Sequence, residues 1–430
     1  MKKRVPASMT TRKRIEELIK GRGDVTASRS DLVKLAAQLI IEEALEGEVS
    51  DELGREYYAH GGDGRGQRNG YRRGKLDSTE GRIEYAVPQV RGLDGWRSAV
   101  RDALSGRTEE LERLAIEMWA RGLSVRDIEA AFVDDAGRCV LSRSAVSAVT
   151  ERLWADYQAF TSRDLSSEQI VYLFVDGVAE RLHLGQPREP VLVGWGINRS
   201  GAKVLLGVLP GSKEDTATCR DFLRDLKARG LVDPVLVVTD GAPGLIRAVD
   251  EVFPRSLRQR CLAHRIRNLE QKVPAELWND VKAEARAAYQ APSPLTARLA
   301  RDEFVKRYEH ELPTATKCFL DDFEACISHL RLPPSHRRAI RTTNMLERLF
   351  GEERRRTKVI PHAFGERPVL KLMYSALLRA SQTWQRVAIG ELELKQIDEL
   401  RRELDNDFSQ RTASAVLPAS RHKISSKEKT

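Results

Sequence analysis

Two apolar runs that each end in an aspartate constrain the fold of this chain more than any other feature. The run IVYLFVD ends at Asp176 and the run PVLVVTD ends at Asp240, and a glycine follows each aspartate. Apolar runs of this kind are typical of strands buried in the sheet of an α/β fold. A charge at the carboxyl end of such a strand leaves the sheet interior and points into the crevice where α/β sheets bind ligands. The sequence therefore predicts an α/β sheet with two carboxylates at one edge.

The order of the elements around these runs narrows the fold further. Three strand-like runs at hairpin spacing come first, followed by a helix, the strand that ends at Asp240, a second helix and a short strand near Leu257–Cys261. This is the order of an RNase H-like α/β core. Helical patterns then fill 265–335, return in TNMLERLFGEERRRTKVI, and run from Val369 to Leu404. We predict an α/β RNase H-like catalytic core, interrupted by an all-α insertion domain and preceded by mainly helical N-terminal DNA-binding domains.

A chain of 430 residues is too long for one compact core. The changes of pattern along it predict six segments: an N-terminal helical and basic region for DNA binding or dimerisation (1–95), a helix-turn-helix domain (104–163), a first part of the RNase H-like core (164–264), a helical insertion domain (265–338), a second part of the core (339–385), and a C-terminal helix with a disordered tail (386–430).

The first segment contains a stretch rich in glycine and arginine, His60–Lys75. Such a stretch cannot build a core, and we interpret it as a loop followed by one strand, Ile83–Val87, that ends at Pro88. Its unobstructed backbone and its charges suit DNA phosphates, with Arg68, Arg72 and Arg73 as the candidates. A solvated linker is the alternative interpretation.

The second segment shows three helical patterns, which break at 122–124 and again at 134–137. Ser124 and Ser142 are placed to cap the second and third helices. The last two helices fit a helix-turn-helix module, with the start of its recognition helix exposed. Helix pairs of this kind also occur as plain packing units. The candidates for DNA contact at that helix start are Arg143, Ser144 and Ser147.

Charge favours a polyanionic partner. The net charge is +9 and the isoelectric point is near 9.3, a modest excess that a merely soluble basic protein could also carry. The densest cationic stretch runs from Arg331 to Lys358, with nine basic and three acidic residues. Such a run is often only a solvated face, but this one surrounds a candidate metal ligand. Its candidates for phosphate contact are Arg341, Arg348, Arg354, Arg355, Arg356 and Lys358.

The two aspartates predict a site for divalent metal. Neighbouring strands lie about 4.8 Å apart, so two strand-end carboxylates can converge, and a cation turns their repulsion into binding. Mg²⁺ suits carboxylate ligands and keeps positions for phosphate oxygens, and two ions would serve an in-line phosphoryl displacement. Ordinary turn chemistry of an Asp-Gly pair is the alternative for either aspartate alone.

Glu347 is the candidate for a third ligand. It shares a helical face with Arg354 and Lys358, so a carboxylate that meets metal would lie beside cations that hold DNA. The alternative is local, because Asn344 could cap this helix and Glu347, three residues later, would complete a capping-box-like pair. Two rival acids, Glu352 and Glu353, lie on other faces of the helix.

The cysteines and the apolar runs indicate a cellular location. Five scattered cysteines form no CxxC pair and fit a reducing compartment. We find no secretory signal in the basic N-terminus and no apolar run near the roughly 18 residues of a membrane span. The sequence thus predicts a cytoplasmic protein with no membrane association.

Several motifs, taken together and in order, resemble the IS256 or Mutator-type family of DDE transposases. The last of them is the most specific, and together they cover nearly the whole chain apart from the extreme termini. They are RNGYRRGKL (68–76), ARGLSVRDIE (120–129), VDG (175–177), VTDGAPGL (238–245), CLAHRIRNL (261–269) and RTTNMLERLFGEERRRTK (341–358).

The resemblance implies that Asp176, Asp240 and Glu347 form the catalytic triad and hold Mg²⁺ or Mn²⁺ as two ions. A helical insertion would fill the 107 residues from Asp240 to Glu347, a gap too long for one strand and crossover helix. The implied activity is cleavage at the ends of an insertion sequence, followed by attack of a DNA 3′-hydroxyl on another phosphodiester. The implied partners are double-stranded DNA, as terminal inverted repeats and target, and a second copy in a homodimer on DNA. Such a protein would be bacterial and associated with the nucleoid.

Cys261 and His264 match a CxxH motif of these relatives. A zinc site would need a second ligand pair, and none has convincing spacing. We therefore expect a local structural role or a role in orienting the active site. The predicted supporting residues are Cys261, His264, Arg267, Asn268 and Asn344.

Two other functions remain open. A catalytically silent, sequence-specific DNA-binding regulator derived from a transposase would use the helix-turn-helix alone. A structure-selective nuclease on the same core would hydrolyse DNA without joining ends.

Overall fold

A computed structural model describes most of the chain: residues 5–20, 29–59, 66–93, 95–104, 106–121, 123–134, 137–180, 182, 187–211, 216–344, 350, 365–382 and 384–416. The chain divides into two compact units, Met1–Leu153 and Trp154–Thr430. No helix among the described residues is both long and apolar enough to cross a membrane.

The N-terminal unit begins with two helices and a small sheet. Strands β1 and β2 pair in antiparallel fashion across a tight turn, β3 adds to β1 in parallel, and the sheet order is β2-β1-β3. Ile41 and Leu45 of the second helix bury against Leu76, Ile83 and Tyr85 of the sheet. The elements are α1 (Ala7–Ile19), α2 (Arg29–Leu53), β1 (Gln67–Ser78), β2 (Gly81–Arg91), α3 (Ala99–Ala103) and β3 (Gly106–Arg107).

The glycine- and arginine-rich stretch is a strand over most of its length, so its interpretation as a loop is wrong from Gln67 onward. The interpretation of β2 as a strand that ends at Pro88 is also wrong, since β2 continues to Arg91. Pro88 is tolerated because it lies opposite Tyr71, where the register of the two strands shifts and a ladder hydrogen bond is not required. The start of the stretch, residues 60–65, lies outside the described part of the chain.

Three further helices form around a core of their own: α4 (Glu109–Ala120), α5 (Val125–Ala131) and α6 (Arg143–Ser162). Both predicted caps are confirmed. The Ser124 hydroxyl accepts a hydrogen bond from the Asp127 amide at 3.2 Å, and the Ser142 hydroxyl accepts one from the Ala145 amide at 3.3 Å. The predicted breaks between these helices are confirmed as well.

The C-terminal unit is built on a five-stranded mixed sheet. The elements are β4 (Ile170–Glu180), β5 (Glu189–Asn198), β6 (Lys203–Pro210), α7 (Thr216–Ala228), β7 (Leu236–Thr239), α8 (Pro243–Val252) and β8 (Leu257–Arg260). The sheet order is β6-β5-β4-β7-β8. β4, β5 and β6 are antiparallel, whereas β7 and β8 are parallel to β4. The predicted succession of strands and helices is confirmed.

Helices follow the sheet to the end of the described chain. They are α9 (Leu262–Glu270), α10 (Trp278–Tyr289), α11 (Pro294–Tyr308), α12 (Pro313–Leu320), α13 (Phe323–Ile327), α14 (Arg337–Ile340), α15 (Glu366–Gln382) and α16 (Glu391–Val416). Residues from α9 to the 3₁₀ turn Ser328–Arg331 share one apolar core, centred on Tyr289, Phe304 and Phe319.

Helices cover both faces of the five-stranded sheet. Phe222 of α7 and Leu245 of α8 pack on one face, whereas Tyr157 of α6, Met373 of α15 and Leu400 of α16 pack on the other. Burial on both faces explains the uninterrupted apolar runs in the sequence, because every position of β4 from Ile170 to Asp176 is buried.

Arginines fasten β8 to the helices that follow it. Arg258 forms an ion pair with Asp322, and Arg260 forms one with Asp321 through its Nη1 and Asp321 Oδ2 at 2.9 Å. Arg265 of α9 is buried and also bonds to Asp321, with 3.1 Å between Arg265 Nη1 and Asp321 Oδ2. These contacts hold the helical region against the edge strand next to the candidate site.

The prediction of one helical stretch from Val369 to Leu404 is wrong, since α15 and α16 are separate helices. The backbone amide of Gly390 donates to Glu393 Oε2 at 3.0 Å and starts α16. The prediction that the tail lacks structure from Ser409 is wrong as far as Val416, where α16 ends. Residues 417–430 lie outside the described part of the chain.

Candidate active site

Asp176 and Asp240 lie at the same level of two neighbouring parallel strands. Val175 of β4 pairs with Thr239 of β7, and each aspartate is the next residue along its strand. Asp176 is 5% exposed, and Asp240 is half-buried at the carboxyl end of β7. The prediction that Asp176 ends its strand is wrong, since β4 continues to Glu180, but the two aspartates are neighbours because their strands are parallel and adjacent.

The two carboxylates influence each other. Burial, and next the negative charge of Asp240, raise the pKa of Asp176 to about 7, although His264 and a hydrogen bond from Thr343 act in the opposite direction. The negative charges of the two carboxylates thus lie close together, and His264 offsets them only in part. Two oxygen-donor ligands under mutual repulsion at a strand edge fit a divalent cation such as Mg²⁺ or Mn²⁺.

Turn chemistry is present at the same residues. The backbone amide of Gly177 donates to Asp176 Oδ1 at 3.0 Å, and the amide of Ala242 donates to Asp240 Oδ1 at 2.9 Å. These bonds occupy Oδ1 of each carboxylate and orient the side chain. The local alternative and the metal-site hypothesis are therefore compatible, because the turns position the carboxylates without neutralising their charges.

Gly241 permits the close approach of Arg260 beneath the site. Its φ is +93°, a conformation that residues with a side chain rarely adopt, and a Cβ there would lie 2.2 Å from Arg260 Nε. A side chain at position 241 would therefore displace either Arg260, which bonds to Asp321, or the turn that carries Asp240.

We predict that Gly241→Ala lowers the free energy of unfolding by about 2 kcal/mol, through backbone strain and the collision with Arg260. Thermal unfolding of the full chain measures this effect. Gly54→Ala is the matched control, because Gly54 also has a positive φ of +61° but has no atom within 4 Å of an added Cβ. An equal loss in the two variants would mean that backbone conformation alone, and not Arg260, accounts for the effect at Gly241.

Cys261 and His264 lie beside the two carboxylates. Arg260 of β8 pairs with Thr239, so Cys261 follows at the level of Asp176 and Asp240, and its amide donates to the Thr239 carbonyl at 2.7 Å. Burial alone would raise the pKa of the Cys261 thiol, but hydrogen bonds from His264 and Thr343 lower it. Among the described residues no group of three or more His, Cys, Asp and Glu side chains could hold a metal ion.

Thr343 joins these groups and was not predicted. It is fully buried, and its amide and hydroxyl lie 3.3 Å and 3.5 Å from Cys261 Sγ. The same side chain forms a hydrogen bond with Asp176. Its only signal in the sequence is its place beside Asn344 in the most specific motif, since nothing in the spacing sets one of two consecutive threonines apart.

The segment that leads to Glu347 is attached to this site at its start. The amide of Leu262 donates to the Arg341 carbonyl at 3.0 Å, and Thr343 follows two residues later. Asn344 and Phe350 are helical, which agrees with the helix predicted for this segment. The remaining candidates lie outside the described residues: Glu347, Arg348, Arg354, Arg355, Arg356 and Lys358.

The predicted DNA-contacting residues of the N-terminal unit occupy different environments. Arg72 and Arg73 are exposed on β1. Arg68 instead bonds to the Ser50 hydroxyl at 2.8 Å and to the Arg55 carbonyl at 2.9 Å, which ties β1 to the end of α2. Arg143, Ser144 and Ser147 are exposed at the start of α6, as predicted, although Arg143 also forms an ion pair with Glu129 at 2.6 Å.

In the C-terminal unit, Arg267 and Asn268 are exposed on α9, and Arg341 is half-buried. Arg341 Nη1 donates to Gln290 Oε1 at 2.9 Å. Of the predicted supporting residues, Cys261 and His264 thus interact with the carboxylate site. Asn344 is the residue after Thr343, which bonds to Cys261 and Asp176.

The known proteins that this chain matches are transposases. The family described as "Transposase, Mutator family" matches residues 9–387. The chain is 30% identical over 371 residues to the transposase for insertion sequence element ISRM5 of Rhizobium meliloti, which covers 84% of this chain and 90% of that protein. It is 32% identical over 271 residues to the transposase for IS6120 of Mycolicibacterium smegmatis, which covers 63% and 84%.

A further relative is the transposase for IS256 in transposon Tn4001 of Staphylococcus aureus, 26% identical over 83% of this chain and 92% of that protein. The family match spans most of both compact units. The chain therefore belongs to the Mutator family of transposases.

Proposed function

We propose that this protein is a DNA transposase that binds the terminal inverted repeats of an insertion sequence, cleaves DNA at their ends and joins a 3′-hydroxyl end to target DNA. The observation that carries the proposal is that Asp176, within β4, lies beside Asp240, which directly follows the parallel strand β7. The order of strands supports an RNase H-like core, and the separate apolar core of 265–331 supports a helical insertion domain. The six segments inferred from the sequence remain our proposal for the domain organisation.

We infer that Asp176, Asp240 and Glu347 together hold Mg²⁺ or Mn²⁺, as two ions. Bound there, the metal would stabilise the attacking and leaving oxygens of an in-line displacement at phosphorus. The chain's own contribution is to aim the carboxylates, through the Gly177 and Ala242 amides, and to keep Asp176 buried. In cleavage a water oxygen bonds to phosphorus and loses a proton, while the bond to the 3′-oxygen breaks and that oxygen leaves as a 3′-hydroxyl. In joining, this 3′-oxygen bonds to the phosphorus of a target phosphodiester as the target's own P–O3′ bond breaks, which leaves a 3′-hydroxyl on the target strand.

The DNA partner is supported by family membership and by the exposed cations described above. We propose that the helices α4–α6 and the β1 arginines contact the terminal repeats, and that two copies act together on the two ends. Association with the nucleoid would follow from DNA binding.

The test uses the purified full-length protein and duplex DNA that carries the inverted repeats found beside its gene. We expect nicked and joined products that require Mg²⁺ or Mn²⁺ and disappear with a chelator. Binding without cleavage would instead support the catalytically silent regulator, which the separate core of α4–α6 makes physically reasonable. Hydrolysis that never joins ends would support a nuclease.

A further inference from the structure

A groove of about 550 Å³ lies between α9, α10 and residues 341–344 in the C-terminal unit. Ala263, Ile266 and Arg267 line it from one face of α9, at the spacing of three and four residues that places side chains together on a helix. Lys282 and Arg286, four residues apart, line it from α10. Two regular helices therefore present their side chains to the same space.

The groove carries an excess of positive charge. Four cations line it, Arg267, Lys282, Arg286 and Arg341, against one carboxylate, Glu270. Among the described residues, no carboxylate forms an ion pair with Lys282, Arg286 or Arg341.

Arginines elsewhere in the same helical region do form ion pairs, such as Arg298 with Glu324 and Arg307 with Glu284. Within the described part of the chain, the groove arginines Arg286 and Arg341 differ from those two because neither forms an ion pair with a carboxylate, and Lys282 also has no carboxylate partner. Burial, and next the neighbouring Arg338 and Arg286, lower the pKa of Arg341, which shows that like charges crowd this wall. An anionic ligand would relieve that repulsion.

The groove begins next to the candidate active site. Residues 341–344 form the third wall of the groove. The hydrogen bond from the Leu262 amide to the Arg341 carbonyl joins this wall to the wall formed by α9. Cys261 directly precedes Leu262, and Thr343, which bonds to Cys261 and Asp176, lies within the third wall segment. A strand that leaves the carboxylates along α9 would enter the groove.

We propose that this groove binds the sugar–phosphate backbone of one DNA strand next to the phosphodiester that reacts. This inference rests on the proposed function, and it names where the substrate strand lies. The cations match a ligand that repeats its negative charge, and the Ala263 and Ile266 side chains offer an apolar surface to the sugars between phosphates. Because the phosphate backbone carries no sequence information, binding here is independent of sequence.

The experiment compares the full-length protein with the double variant Lys282→Gln/Arg286→Gln in the presence of a chelator, so that no reaction occurs. The probe is a labelled oligonucleotide of arbitrary sequence, first as a single strand and then as a duplex. Fluorescence anisotropy measures affinity across a range of KCl concentrations. Loss of two phosphate contacts should reduce the slope of log K against log salt by about 1.4 for the single strand or about 1.8 for the duplex.

The matched control is Lys306→Gln, which removes an exposed cation of α11 that does not line the groove. We expect this control to keep the parent slope, and thermal unfolding should show all three proteins folded. A reduced slope with either probe in the double variant supports the groove. An unchanged slope with both probes overturns it and leaves the proposed function standing, whereas a parent protein that binds DNA but never cleaves it overturns the proposed function.

Discussion

Replacing Asp176 or Asp240 with asparagine should abolish DNA cleavage and joining while making the metal-free protein more stable. Asparagine keeps the shape of the side chain but removes one of the three negative charges of the proposed metal site. A loss of roughly 4 kcal/mol of transition-state stabilisation corresponds to a rate about 10³-fold slower, and we expect at least that effect. The measurement is a time course of nicking and joining with Mn²⁺ in excess.

The stability half of this prediction follows from the pKa of Asp176. Burial and the charge of Asp240 raise this pKa from 3.8 to about 7. Above pH 7 the side chain is ionised in both states, but the charge is less favourable in the folded protein than in the unfolded chain, so it lowers the stability of the fold. The shift corresponds to about 4 kcal/mol, at roughly 1.4 kcal/mol per pKa unit. Asp176→Asn should therefore raise the melting temperature by several degrees at pH 8 in a chelator.

The sign of the pH dependence is fixed by the same shift. A raised pKa means that the folded state binds the proton more tightly than the unfolded state does. Below about pH 4 the side chain is protonated in both states, so its ionisation does not change the free energy of unfolding. As pH rises from about 4 to 7 the unfolded state loses its proton first, and stability falls until both states are ionised. We expect Asp176→Asn to remove this part of the loss of stability with rising pH. In the parent protein, Mn²⁺ bound to the ionised carboxylate should reduce the same loss.

Asp221→Asn is the control for these measurements, because Asp221 is an exposed aspartate of α7 away from the site. It should keep parental activity and parental stability. An Asp176→Asn variant that lost stability along with activity would indicate a structural role for the turn and would contradict a metal site. Retained joining in Asp240→Asn would overturn the assignment of the triad.

Glu347→Gln should be as inactive as the aspartate variants, whereas Glu352→Gln and Glu353→Gln should retain activity within about tenfold. Thr343 lies against Cys261 and Asp176, so the segment that carries Glu347 begins at the carboxylate site. With about 100° per residue, positions 352 and 353 point to other faces than position 347. The same cleavage and joining assay ranks the three variants.

The capping alternative for Glu347 has its own comparison. Asn344→Ala removes the proposed cap and should cost about 1 kcal/mol of stability, with most of the activity retained. If Glu347 only completed a capping pair, Glu347→Gln would behave like Asn344→Ala in both assays. A Glu347→Gln variant of parental stability with no cleavage would leave the ligand role as the explanation.

Much of the fold could be predicted because local patterns and tertiary burial agree. The runs that end at Asp176 and Asp240 are strands, and the caps at Ser124 and Ser142 are formed as expected. Helix caps depend on side chains close together in sequence, and the apolar runs reflect burial of a whole strand. Both kinds of feature can therefore be predicted from local sequence patterns.

The errors lie where a distant contact overrides local composition. The stretch from Gln67 has the glycine and arginine content of a loop, but it pairs along β2 and buries Leu76 under α2. Likewise α16 continues past Ser409, although its last residues read as a polar tail. In β1 the pairing with a remote strand supplies the stabilisation that local sequence lacks. Residues 409–413 of α16 are exposed, and Arg411 bonds to the Pro254 carbonyl at 3.5 Å.

The sequence by itself determined that two buried strands lead to Asp176 and Asp240, that helices fill most of the interval before Glu347, and, through its motifs, the family to which the chain belongs. Only the tertiary structure decided that Thr343 joins Cys261 to Asp176 and that Lys282 and Arg286 face Arg341 across a groove. The physical reason is separation along the chain. Residues tens of positions apart come into contact only when the sheet and the helices that follow it have packed. Such contacts cannot be predicted from a local sequence pattern.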